Sequence, residues 1–263
     1  MIRRVITMAH IVWLELLRKK DLYVLLILLG ALLGTLVSLD IFGLGGVVRY
    51  IKDVGFLMAW VFAWILAVNT STRQLPAEET RGTVYPLLAK PISRLEVIAG
   101  KWLGSWTVTC AATLLFYELV FFIVMAKGGT TDFATVAQGY ALHCGALAII
   151  AAAGFLLSAR LNRDAAATLT YVLTGSAFLI VPRVPVLIAH TRGFPATALM
   201  VLYNLMPHFE LFDLRKRIVH DFGTAATATA LLVLAYGLLW TGVLLAAAWL
   251  AYRRKRFSRE AQA

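Results

Sequence analysis

The sequence predicts an all-α integral membrane protein: six transmembrane helices, an N-terminal interfacial amphipathic helix, and an outer re-entrant or surface helical segment before the last span. Three observations carry this. Of 263 residues, 60% are hydrophobic and only 15% charged, whereas a soluble domain carries about a quarter charged. The charges cluster, leaving six stretches of 18 residues or more with at most one Asp, Glu, Lys or Arg. Threaded as six spans with the N-terminus inside, 17 of the 25 Lys and Arg fall on the inner side, as the positive-inside rule requires.

Residues 1–20 place Ile2, Val5, Ile6, Ala9, Val12, Trp13 and Leu16 at helical spacing, with Arg3, Arg4, His10 and Arg18 largely elsewhere on the wheel. That pattern predicts a helix lying in the headgroup plane. The spans follow at about 22–39, 54–72, 102–126, 134–159, 165–182 and 223–252. Each reaches the roughly 18–20 residues that cross about 30 Å of hydrocarbon. They must be helices, because lipid satisfies no open backbone. Residues 193–209 are also uncharged. A seventh span there would move Arg253–Arg256 outside and bring in only Arg215, Lys216 and Arg217. The segment 183–221 therefore reads as extracytoplasmic, either an anchor or a gate, with anchoring the simpler role.

The basic balance, +11, is accounted for by headgroup anchoring and calls for no nucleic acid. Cys110 and Cys144 lie inside spans and make no disulfide or zinc spacing. No catalytic, cofactor-binding or metal-binding constellation appears. Glu118 and His143 are the ionisable side chains, thiols aside, that lie well inside spans. Such groups face a cavity or a partner. Counted from Lys127 and Asp132 they sit about 13 and 16 Å deep, so adjacent antiparallel spans would let them pair and line a transport path.

The loop 73–101 mixes charges with buried-type residues. Ser93 and Glu96 form an S-x-x-E capping box that starts the third span's helix, and Pro91 stops whatever helix precedes it. Between Gly82 and Pro91, Val84, Leu87 and Leu88 form a short apolar patch rimmed by charge, suited to a protein partner.

This loop resembles the first cytoplasmic loop of type-2 ABC exporter permeases. That family carries a Glu, a Gly-Thr, a Leu pair, Pro-[Val/Ile]-Ser-Arg and a Gly-Lys, matched here by Glu78, Gly82-Thr83, Leu87-Leu88, Pro91-Ile92-Ser93-Arg94 and Gly100-Lys101. Pro86 departs from the pattern. The resemblance implies a permease subunit, an exporter, whose cytoplasmic coupling helix docks on a separate ABC ATPase. Glu78, Glu79, Gly82, Thr83, Leu87, Leu88, Pro91, Ser93 and Arg94 would form the docking surface, and Arg160, Arg163 and Asp164 a second contact. It also implies a second permease copy, homodimeric or related, in the plasma (inner) membrane of a bacterium or archaeon, with both termini cytoplasmic. The chain has no G-x-x-x-x-G-K-[ST] motif, so ATP and magnesium would sit on the partner ATPase. The alternative is an ion-coupled secondary transporter, which would show internal repeats and more intramembrane charge. The substrate is not legible.

Overall fold

The computed structural model describes residues 2–18, 20–38, 47–80 and 93–255. The regular elements among the described residues are all helical. Helix α1 is Ile2–Leu17, α2 Asp21–Ser38, α3 Val47–Thr80, α4 Arg94–Ala126, α5 Phe133–Ser158 and α6 Arg163–Leu179. A 3₁₀ turn, Val181–Arg183, leads to α7 (Val184–Ala189) and α8 (Phe194–Leu205). A second 3₁₀ turn, Phe209–Phe212, precedes α9 (Arg215–Val219) and α10 (Thr227–Arg253).

Five helical stretches are long and apolar enough to cross a bilayer: Val48–Thr80, Arg94–Ala126, Phe133–Ser158, Arg163–Ala189 and Thr227–Arg253. The first predicted span appears as α2, about 27 Å long at helical rise, with a shorter apolar run, Tyr23–Thr35. Helices α3 and α4 overshoot their predicted spans. Ending a span at each charge assumes that the charge meets water. On α3, Arg73, which closed the predicted span, is instead buried against the bundle, and at the other end the helix runs back past the exposed Asp53 to Val47. Helix α4 starts where the capping box predicts. Ser93 Oγ accepts from the Glu96 N–H at 3.2 Å, and Glu96 Oε2 accepts from the Ser93 N–H at 2.8 Å.

Helix α1 packs along the first turns of α4, running parallel to it. Gly100 and Gly104, a small-x-x-x-small pair, let the backbones approach. A Cβ on Gly104 would lie 2.7 Å from Val12 Cβ and 2.8 Å from the Ala9 carbonyl oxygen. Trp13 Nε1 donates to Thr107 Oγ1 at 2.9 Å. The predicted apolar stripe is thus divided. Ala9, Val12 and Leu16, with Met8, are buried, while Ile2 and Ile6 stay exposed beside the polar sector. One half of the stripe serves α4 and the other half remains for a membrane surface.

Helix α5 is the centre of the bundle. Its run Ala146–Phe155 is buried and largely small. Gly154 faces Ser71 and Thr72 of α3, where a Cβ would have no room. Aromatic N–H and O–H groups stitch neighbours together. Trp106 Nε1 donates to the Cys144 carbonyl at 2.8 Å, and Tyr140 Oη to the Cys110 carbonyl at 3.0 Å. Tyr171 Oη donates to the Ile65 carbonyl at 3.2 Å.

Part of the segment 183–221 packs inside the bundle rather than on its surface. Phe209, Phe212, Leu214, Ile218 and Val219 are buried in protein. Phe212 lies against Gly145 of α5 and Gly237 of α10, about 18 and 15 Å along those helices from their first residues. The His208 N–H donates to Tyr236 Oη at 3.1 Å. Helix α9 then returns, with Ile218 against Gly139, and the segment closes at Asp221, whose φ of 52° lies in the left-handed region that Asp tolerates. The chain therefore turns deep between the helices. Charge counting reads span number but not depth, and the charges at this turn are paired within it, Glu210 with His208 and Asp213 with Arg215. Helix α8 keeps an apolar exposed surface, including Phe194, Met200 and Leu205.

Two measurements test these packings. Gly104→Val should lower the thermal midpoint, since overpacking costs about 1–3 kcal/mol, while Gly242→Val, with open space around it, should not. Asp132 caps α5, and the Thr135 hydroxyl (2.6 Å), then the Ala134 N–H, hold its carboxyl below the usual value of 3.8. A carboxyl depressed by folding stabilises above its unfolded pKa and stops doing so as pH falls through the folded one. Asp132→Ala should therefore lower the thermal midpoint at pH 7, and the gap to wild type should close as pH drops below about 4.

Candidate functional site

Two assemblies stand out: a clamp where α3, α4 and α10 end together, and an aromatic cavity near the inward turn. The clamp is built from charges that the sequence distributes over three distant segments. Lys101 is buried, and its Nζ donates to the Gln74 carbonyl at 3.0 Å and to Glu78 Oε1 at 2.7 Å. Lys255 Nζ meets Glu79 at 2.7 Å. Arg94 Nη1 donates to the carbonyls of Tyr252 and Arg253 at 2.9 and 2.7 Å. It thereby caps the last turn of α10, where a cation also complements the helix dipole. The Arg94 guanidinium lies 5.9 Å from the Tyr252 ring centre.

Of the nine predicted docking residues, Glu78, Glu79 and Arg94 thus hold the chain to itself, and Ser93 caps α4. Gly82, Thr83, Leu87, Leu88 and Pro91 lie outside the described residues. Arg160, Arg163 and Asp164 are exposed at the turn between α5 and α6, whose first turn Asn162 caps through the Ala165 N–H at 3.0 Å. The resemblance assigned Glu78, Glu79 and Arg94 to a docking surface, and the sequence carried no sign of their contacts within the chain, such as that of Glu79 with Lys255, 176 residues away. A Lys at position 101 with Glu78 outside the same helix gives no periodic signal.

The cavity, about 200 Å³, lies between α3, α6 and the inward turn. Trp60, Trp64, Phe178 and His143 form its walls, with Arg215 and Phe209 from the turn. His143 is fully buried. Its ring stacks on Trp60 with centroids 3.9 Å apart and planes 3° apart. Neither ring nitrogen has a hydrogen-bond partner among the described residues. The Arg215 guanidinium lies 5.7 Å from the Trp60 ring centre and 5.8 Å from that of Phe178. Asp213 grips it twice, Oδ1 at 2.9 Å from Nε and Oδ2 at 2.7 Å from Nη2. A doubly bonded guanidinium of this kind is the strong form of the ion pair.

The expected Glu118–His143 pair does not form. His143 faces α3, whereas Glu118 is exposed on an α4 face with Leu114, Phe122 and Met125. Depth along adjacent spans is countable from sequence, but azimuth is not. The cavity residues Trp60, Trp64, Phe178 and Arg215 were missed. A clue was present in the i, i+4 spacing of Trp60 and Trp64, which puts both rings on one helical face.

Compared with known proteins, residues 8–257 match the family model described as ABC-2 family transporter protein. No curated protein compared with the chain matches it. The match spans α1 from its second turn through α10 and the clamp, which sets aside an ion-coupled secondary transporter. The chain belongs to the ABC-2 transporter family and is a multi-pass membrane permease subunit of an ABC transporter, not itself the ATPase.

Proposed function

We propose that this permease is the membrane half of an exporter, with residues 81–92 and the exposed Arg160–Asp164 turn as the seat of its ABC ATPase. The observation that carries the reading is the clamp. Both stems of the 81–92 segment are fixed, one by Glu78–Lys101 and Glu79–Lys255, the other by the Ser93 cap and Arg94. A segment that takes force from a motor needs stems that do not yield. The clamp end is then cytoplasmic, both termini with it, in the plasma membrane of a bacterium or archaeon. A second permease copy, identical or related, completes the pathway. In this reading His143 belongs to the cavity wall, and Glu118 meets a path only if its α4 face turns toward the second copy. An uncompensated carboxylate facing lipid is costly.

Co-expression with the cognate ATPase tests the seat. Leu87→Asp combined with Leu88→Asp should abolish co-purification while leaving the permease folded by size-exclusion chromatography. Retention of the complex would overturn the assignment. The clamp has its own readout. Lys101→Met should cost about 2 kcal/mol in a denaturing-detergent titration, since hydrogen bonds to a charged group contribute about 1.5–3 kcal/mol. Lys255→Met, at a partly exposed pair, should cost less than about 1 kcal/mol.

A further inference from the structure

We infer that the cavity between Trp60, Trp64 and Phe178 is a dry, preformed site for an apolar aromatic ring without a polar substituent, a ligand of benzene or toluene size. Size comes first. An apolar cavity of about 150 Å³ holds the six carbons of benzene, and drug-sized ligands need about 300–1,000 Å³. At about 200 Å³ this one takes about eight carbons on the same scale, a single ring with a methyl group or two. Rigidity comes second, because a site binds best when its walls are set before the ligand arrives. The Trp60 ring is held by the His143 ring stacked on it at 3.9 Å and by the Arg215 guanidinium 5.7 Å from its centre. Trp64 is fixed by its N–H, which donates to Thr174 Oγ1 at 2.8 Å, and by the Tyr171 ring, which meets it edge-on at 5.3 Å and 84°. Gly175 also belongs to the lining and contributes no side chain that could fill the space.

Polarity decides which ring. The lining presents almost no polar surface. Both His143 ring nitrogens are inaccessible. The Trp64 N–H is taken by Thr174, whose hydroxyl donates onward to the Thr170 carbonyl at 2.6 Å, and the Arg215 guanidinium is bonded to Asp213. A bound water needs about two to four polar partners, so an apolar cavity of this kind stays dry and takes an apolar guest. A hydroxyl brought into it would leave its hydrogen bonds unmade. Wall shape then favours an arene over an aliphatic chain. Trp60, Trp64 and Phe178 offer flat faces and edges, against which another ring gains more than its buried area alone supplies. Access is lateral. Leu57 and Leu179 belong to the lining and are exposed, so the cavity opens on the outside of this chain's bundle, where a ring dissolved in the bilayer can reach it.

The experiment is a ¹⁹F NMR titration of the purified permease in nanodiscs with fluorobenzene and with 4-fluorophenol, each at known concentration in the lipid. Partition into lipid is linear, so binding is read as the saturable part. Fluorobenzene should saturate at one site per chain and bind at least about fivefold tighter than 4-fluorophenol, whose buried hydroxyl would find no partner. Benzene should displace fluorobenzene roughly two- to tenfold better than cyclohexane or hexane does, the added worth of ring-on-ring contact. Val61→Phe, which puts a ring into the lining, should abolish saturation. Linear partition only, saturation that survives Val61→Phe, or 4-fluorophenol binding as tightly as fluorobenzene would overturn the assignment. Displacement by hexane equal to that by benzene would give the cavity to lipid acyl chains and overturn it too. If the variant misfolds, the wild-type ligand comparisons still decide. No readout involves the ATPase, so failure here leaves the docking reading standing, and failure of docking leaves this site standing.

Discussion

A buried ammonium group at each end of α3 is the constraint around which this bundle is arranged. At one end Lys52, nearly inaccessible, donates to the Thr130 carbonyl at 2.7 Å and to both oxygens of Asp221 at 2.9 Å. At the other end Lys101 reaches Gln74 and Glu78. Taking a charge out of water costs several kcal/mol unless its donors are met. Both lysines meet theirs with a carboxylate and a main-chain carbonyl. The result is geometric. Lys52 ties the start of α3 to the α4–α5 connection and to the end of the inward turn, and Lys101 ties its far end to α4.

Between those ties the bundle cannot rely on the hydrophobic effect, because lipid tails are as apolar as leucine. Contact area and donors must suffice. Small residues on α5 bring α3 close, and Gly100 and Gly104 bring α1 close. Tryptophan and tyrosine then supply bulk and one donor each. Those donors go to a neighbouring helix's carbonyl or hydroxyl in Trp13, Trp64, Trp102, Trp106, Tyr140 and Tyr171. His143 breaks this habit. It stacks on Trp60 yet neither ring nitrogen has a hydrogen-bond partner among the described residues, and the cavity lies beside it.

Span existence was legible because the bilayer imposes one length and one polarity, and the helix start at Ser93 was legible because a cap is a local event. Span ends were not, since Arg73 looks like a water-facing stop until the fold buries it, and Asp53 stays exposed on a helix that continues past it. The site was legible only as a loop. Gly82 to Pro91 could be recognised by order and spacing, but the roles of Glu78 and Glu79 depended on Lys101 and Lys255. Aromatic residues in a span read alike until the fold shows which of them share a wall, so Trp60 and Trp64 stayed anonymous.

Pro76 gives the clamp a sharper purpose. A proline inside a helix removes one main-chain donor and loosens the turn before it. Helix α3 continues through Pro76 to Thr80, so its last turn, bearing Glu78 and Glu79, would be its softest point. Lys101 binds on both sides of that break, to Gln74 before the proline and to Glu78 after it. One ammonium therefore splints the helix where the proline weakens it. Without the splint, a displacement applied after Thr80, as the proposed docking would apply it, would be absorbed by bending at Pro76. With it, the displacement would be passed along α3, whose middle carries Trp60 and Trp64 and whose other end is tied to Asp221. The proposed partner ATPase would need such a stiff path. Here the stiffness comes from a side chain on α4 rather than from the α3 backbone.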